Sequence, residues 1–206
     1  MSPIDTAPID VVAARSELVA RALARATEAH AGQTRSGSGG LPYIAHPRMV
    51  AATLAERDYP ETTLAAALLH DTVEDSDATV EDLRAEFGEE IAALVATLSD
   101  DESIESYRDR KDEHRARVAG VDGDALAIYA ADKLTNMTTL HAAIEAEGMK
   151  VAEEYAVPLG LKLEVWEADA AMLREEAPGL SLLDPLAAAI SRLAADLGAA
   201  DPHPCT

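Results

Sequence analysis

Cysteine is almost missing from this sequence: Cys205 is the only one. A lone thiol closes no internal disulfide, which excludes a cross-linked scaffold and fits a reducing compartment. Aromatic residues are nearly as scarce, with one Phe, one Trp and five Tyr among 206 residues. Strands favour aromatic and β-branched side chains, so a β-rich architecture is disfavoured. No apolar run reaches the ~18 residues that a membrane span requires. The N-terminus carries neither the basic nor the apolar stretch of a secretion signal, and a cytoplasmic location is expected. Positive charge is the last scarcity. Seventeen basic against thirty-eight acidic residues leave a formal charge of −21, which repels nucleic-acid phosphates and anionic lipid. Neither nucleic acid nor membrane is an expected partner. An anionic small molecule would need a local basic patch or a metal ion to approach.

What is abundant is alanine and leucine interspersed with glutamate and arginine, the composition of helices. The length suffices for one substantial core, so residues 1–206 are read as a single domain. Apolar spacing predicts one long helix from Ile9 to His30, then a glycine-rich flexible loop from Gly32 to Leu41, either a lid or a disordered edge. Further helices are expected over 44–58, with Pro47 tolerated in the first turn, and over 61–75. A short helix capped by Thr79 and ended by Gly88 follows, then one over 89–99. A charged helix closes at Gly120, and another spans about 124–147 around "AIYAADKLTNM". A segment over 150–176 is bent or divided near Pro158 and Gly160, and a last helix begins at Asp184 and Pro185. The sum is an all-α bundle of about eight or nine helices, with no internal repeat.

One stretch resists a purely structural explanation. "ALLHDTVED" follows a buried apolar run with His70, Asp71, Glu74 and Asp75. On a helix, residues four apart share a face, so like-charged carboxylates crowd and repel. A cation reverses the sign of that interaction, and imidazole with carboxylate oxygen is a ligand set for Zn, Fe or Mn. Two other segments offer the rest of a coordination shell. His46 stands in "PYIAHP", and Asp132 sits in "AADKL" among Ile128, Tyr129, Ala130, Ala131 and Leu134, where an unpartnered carboxylate is costly. Taken singly, His46 reads as a helix-cap residue and Asp132 as the ion-pair partner of an arginine.

The ordered pattern H … HD … D resembles the HD phosphohydrolase superfamily. The flanking words "AHAGQTRSGSGGLPYIAHP", "AALLHDTVED", "FGEEIAALV" and "AIYAADKLTNM" look like the hydrolase domain of RelA/SpoT homologues, over residues 29–137. The resemblance implies an HD-domain bundle with the helices of 150–198 packed on its core. It implies a metal-dependent 3′-pyrophosphohydrolase that converts (p)ppGpp to GDP or GTP and pyrophosphate. His46, His70, Asp71 and Asp132 would hold one divalent ion, Mn²⁺ in this family. Glu74 and Asp75 would orient or deprotonate the attacking water. Arg35 would pack on the guanine, Asn136 would contact the nucleotide, and Thr139 would line the nucleoside pocket. The residues after Asn136 leave no room for a synthetase module, so the expectation is a stand-alone small alarmone hydrolase. Its oligomeric state is left open.

Two positions depart from the family pattern: Ser36 follows Arg35 where lysine is usual, and Thr138 stands where arginine is frequent. The same site therefore also admits ppApp, another 3′-phosphorylated nucleotide or the 2′-phosphate of NADPH. A non-catalytic alarmone-binding module is the reading from a different class. "YRDRKDEHRAR", residues 107–117, is either a solvated, salt-bridged face or the source of compensating positive charge. His30 is read as a hydrogen-bonded structural residue, His114, His141 and His203 as solvated, and Trp166 as core packing.

Overall fold

The computed structural model describes residues 5–121 and 123–200; Cys205 and His203 lie outside them. Among the described residues the chain is helical throughout: α1 (Ala7–Ala13), α2 (Glu17–Ala29), α3 (Ala45–Ala55), α4 (Glu61–Leu69), α5 (Thr72–Asp75), α6 (Val80–Phe87), α7 (Glu89–Leu98), α8 (Tyr107–Ala119), α9 (Gly123–Glu147), α10 (Leu159–Glu176) and α11 (Leu183–Ala200). A 3₁₀ helix, Met149–Glu154, joins α9 to α10. The all-α expectation holds, with more and shorter helices than the periodicity implies, and none is long and apolar enough to cross a membrane.

Two breaks account for the difference. The long helix expected from Ile9 to His30 divides at Ser16, whose backbone is extended. The Ser16 hydroxyl accepts the Val19 N–H at 3.3 Å and donates to Glu61 at 2.6 Å. It is an N-cap tied to a neighbouring helix, and a capped start is worth about 1 kcal/mol. The second break separates α4 from α5 at His70 and Asp71. There the Thr72 hydroxyl bonds the Leu69 carbonyl, a side-chain competitor for a helix acceptor. Elsewhere local signals are obeyed. Thr79 and Asp82 form a reciprocal capping box at the start of α6, and Gly88, at φ +88°, turns α6 into α7.

The central element is α9, apolar on nearly every side, with Ala127, Ile128, Ala130, Ala131 and Leu140 fully buried. A helix without a polar face belongs in the interior. It packs against α3, α4 and α11, while α2 lies on α4 and α10 spans α8 and α11. One hydrophobic core runs from Ile9 of α1 to Leu193 of α11.

The glycine-rich segment is a pinned hairpin. Thr34 bridges Pro42, the Arg35 N–H donates to the Leu41 carbonyl at 3.2 Å, and Tyr43 N–H to Gln33 at 3.0 Å. Its tip is fastened by the Gly37 N–H, which donates to Glu154 at 2.6 Å. Gly37 has φ +69°, and any Cβ there would collide with the Tyr155 ring. The loop thus docks on the 3₁₀ helix and holds Arg35 over the interior.

Candidate metal centre

Three packed elements bring the polar cluster together. His46 lies in the first turn of α3, followed by Pro47 where a missing N–H costs nothing. His70 and Asp71 occupy the α4–α5 break, anchored by the fully buried Leu68 and Leu69 before them. The His70 Nδ1 lies 2.8 Å from the Ala67 carbonyl; donation there leaves Nε2 facing the cluster. Asp132 projects from the middle of α9.

The resulting distances are short. His46 Nε2 is 2.9 Å from Asp132 Oδ1 and 3.6 Å from Asp71 Oδ2. His70 Nε2 is 3.1 Å from Asp71 Oδ1 and 3.8 Å from Asp132 Oδ1. One ligand atom each from His46, His70 and Asp132 lies within 4.8 Å of the others. Ligands held ~2.1 Å from one ion stand roughly 3.0–3.4 Å apart, from an octahedral edge to a tetrahedral one. The observed separations bracket that range. Both imidazole Nε2 atoms are buried and make no well-aligned hydrogen bond, the condition of a ligand rather than of a packed core histidine. The donor set therefore fits a divalent metal.

Neighbouring groups orient the carboxylates. Lys133, itself buried, holds Asp132 Oδ2 at 2.7 Å, while Asn136 donates to Oδ1 at 2.8 Å. Oδ1 is thereby the oxygen turned to both histidines. Arg35 donates to the Asn136 side-chain oxygen Oδ1 and stands 3.7 Å from Asp71. Its guanidinium also lies over the Tyr43 ring, 5.1 Å from the centroid. The Tyr43 hydroxyl reaches Asp71 at 2.9 Å and Asp75 at 2.5 Å, and its ring stacks on His30 at 4.6 Å. His30 is buried and bonded to Gln33 at 2.8 Å, in keeping with a structural role.

Burial and charge shape the proton equilibria. Burial lowers His46 to about 4, aided by Arg35 and opposed by Asp132 and Asp71. Burial acts against His70 too, but Asp71 and Asp132 outweigh it and raise that imidazole to about 9. The two rings face the same carboxylates and diverge because Arg35 repels charge on His46, while the Ala67 carbonyl favours it on His70. Glu74 is raised to about 7 by burial, then by the charges of Asp71 and Asp100. Its Oε1 accepts the Asp100 N–H at 2.7 Å.

His70, Asp71, Glu74, Asp75 and Asp132 line a cavity of 320 Å³ that also receives Arg35, Ser36, Asn136, Lys162 and Trp166, while His46, almost fully buried, does not line it. Thr139 lies apart, in a second, more apolar cavity of 240 Å³ with Ser38, Leu41 and Met49, which shares no lining residue with the first. The basic segment of α8 is largely consumed by ion pairs. Lys111 and Arg110 hold Asp100 at 2.5 and 3.3 Å, Arg115 holds Asp112 and Asp169 at 2.7 Å each, and Arg117 holds Glu113 at 3.0 Å. His114, expected in solvent, is instead buried with Nδ1 2.8 Å from Asp100. His141 is likewise mostly covered, 2.6 Å from Asp196 across the α9–α11 contact. Trp166 is buried as expected, at the cavity wall. Sequence reasoning missed Tyr43, Asp100, Lys133 and Lys162. Tyr43 and Lys133 stand inside the words that signalled the site; Asp100 and Lys162 carry no local signal.

Comparison with known proteins agrees with this architecture. The HD domain family model matches residues 22–166, a span that contains every residue of the cluster. A guanosine-3′,5′-bis(diphosphate) 3′-pyrophosphohydrolase of Aquifex aeolicus is 36% identical over 157 residues, 73% of this chain and 22% of that protein. The enzyme so named in Vibrio cholerae is 43% identical over 135 residues, 63% of this chain and 19% of its own length. The chain thus spans about a fifth of the curated relatives it matches. A solved structure described as a metazoan ortholog of SpoT that hydrolyzes ppGpp superposes with a TM-score of 0.69 at 27% identity, over 86% of this chain and 95% of that one. With the family model covering most of its length and the histidine–aspartate cluster at its centre, the chain belongs to the HD domain family.

Proposed function

We propose that this protein is a metal-dependent (p)ppGpp 3′-pyrophosphohydrolase, with Mn²⁺ as the ion held by His46, His70, Asp71 and Asp132. The observation that carries the reading is the convergence of two buried imidazole Nε2 atoms, neither in a well-aligned hydrogen bond, with two carboxylates at ligand spacing. It is supported by the relatives named for that reaction and by the likeness to a ppGpp-hydrolysing structure. When bound, the ion supplies Lewis-acid polarisation of a phosphoryl oxygen and a lowered pKa for water at the site.

The chain's own residues do the rest. Glu74, with a pKa near neutrality, accepts a proton from the attacking water. Asp75, held by the Tyr43 hydroxyl, orients that water. Arg35 and Asn136, bonded to each other at the cavity wall, present donors to the nucleotide. Thr139, which lines the second cavity, contacts the nucleoside side. Water adds to the phosphorus bonded to the 3′ oxygen, the P–O3′ bond breaks, and the 3′ oxygen takes up the proton held by Glu74, giving pyrophosphate and GDP or GTP with a free 3′-hydroxyl. Residues 1–206 act as one hydrolase unit.

The test is incubation of the purified protein with ppGpp and Mn²⁺, with products resolved by anion exchange. Equimolar GDP and pyrophosphate, abolished by a chelator and restored by Mn²⁺, are expected. Because Ser36 stands uncharged in the cavity, ppApp and NADPH belong in the same panel. Turnover of one of these with none of ppGpp would transfer the site to that substrate.

A further inference from the structure

The cavity beside the metal cluster is walled by cations, and among the described residues all but one have a carboxylate partner. Arg35 has Asp71 at 3.7 Å, Lys111 has Asp100 at 2.5 Å and Lys133 has Asp132 at 2.7 Å. Lys162, rising from α10 into the same cavity, has no carboxylate within 4.0 Å among the described residues. Its ammonium instead faces three rings, 4.9 Å from the centroid of Tyr155, 5.2 Å from Tyr107 and 5.6 Å from Trp166. In a protein with thirty-eight acidic residues, an unpaired ammonium in a half-buried position needs a reason. Aromatic faces hold a cation in place and partly replace its hydration, yet they leave its charge uncancelled. Burial, then Lys111, Lys133 and Arg35, pull its pKa down to about 8 against a smaller opposing pull from Asp132.

We infer that Lys162 is the phosphate anchor of the cavity, donating from its caged ammonium to a phosphate oxygen of the bound nucleotide. The inference rests on the hydrolase reading above and adds a specificity residue to it. It also supplies the positive charge absent at Ser36, from a helix distant in sequence, and does so where α8 does not, because the α8 cations are engaged by acidic side chains. The three rings order the side chain before substrate arrives, which lowers the entropic cost of binding.

Lys162→Met keeps the long apolar stem in the aromatic cage and removes only the charge. With ppGpp and Mn²⁺, its KM rises on the order of 10-fold or more, as expected for loss of a charge-assisted hydrogen bond, with a smaller change in kcat. Lys162→Arg retains most of the affinity. A Lys162→Met KM within about twofold of wild type, short of that loss, overturns the inference. Guanosine 3′-diphosphate without a 5′-phosphate locates the contact. A persisting penalty assigns it to the 3′ end, and a vanished one to the 5′ end. Calorimetric binding of inorganic pyrophosphate to the Mn²⁺-loaded proteins separates this inference from the assigned reaction. If wild type turns over no nucleotide, the reaction fails, and weaker pyrophosphate binding by Lys162→Met still supports the anchor. Equal binding by both, or binding by neither, refutes it. Should the methionine variant melt well below wild type, Lys162→Gln serves in its place.

Discussion

Replacing Glu74 with glutamine separates chemistry from stability in a single variant. Burial and the nearby charges of Asp71 and Asp100 raise the Glu74 carboxyl from 4.5 to about 7. A carboxyl raised in the folded state holds its proton more tightly there than in the unfolded chain. The folded state therefore loses relative stability as pH climbs from 4.5, and the loss is complete above about 7. At about 1.4 kcal/mol per unit, the penalty in metal-free protein at pH 8 is up to roughly 3 kcal/mol. Glutamine is isosteric, uncharged and able to keep the Asp100 N–H bond through its carbonyl oxygen. The metal-free variant should melt several degrees above wild type at pH 8 and show little gain at pH 4. Its kcat should fall ~10²–10⁴-fold with Mn²⁺ bound normally, the loss expected when a general base is removed. Wild-type activity should rise with pH to a limb no higher than about 7, since a bound cation only lowers the Glu74 pKa, and the variant should lack that limb. Thermal melts at two pH values, calorimetric Mn²⁺ titration and a kcat–pH profile provide the three readouts. A variant within a few-fold of wild-type kcat would remove Glu74 from the chemistry, and one less stable at pH 8 would refute the electrostatic argument.

Other perturbations probe other links. Asp132→Asn removes a ligand charge and the partner of buried Lys133; Mn²⁺ affinity should drop at least ~100-fold by calorimetry, and undiminished affinity would displace Asp132 from the centre. Gly37→Ala forces a side chain into Tyr155 at φ +69°, so a Tm several degrees lower is expected, with a raised KM as Arg35 loses its support. Asp169→Ala removes the fully buried carboxylate that accepts from Arg115 at 2.7 Å and Tyr129 at 2.9 Å. Denaturant melts should register a loss of about 3–5 kcal/mol.

The sequence by itself determined what depends on near neighbours and on composition. Scarce aromatics and abundant alanine and leucine specify helices. Thr79 and Gly88 mark the ends of α6 because caps act within one turn. The histidine–aspartate cluster was legible because its residue types are costly where they stand without partners: Asp132 within an apolar helix, His70 and Asp71 directly after Leu68 and Leu69. The order of those words then joined segments that no local rule connects. What only the tertiary structure decided is pairing across the chain. Arg35 meets Asn136 across 101 positions, Arg115 meets Asp169 across 54, and Arg108 meets Glu164 across 56. A charge run such as residues 107–117 does not disclose whether its cations face solvent, substrate or carboxylates, because helix packing sets that. For the same reason His114 moved from expected exposure into the interior, and Lys162, silent in sequence, faces the site with no carboxylate partner among the described residues. Periodicity places a side chain on a face; only the packed neighbours decide which charges remain free to meet a ligand.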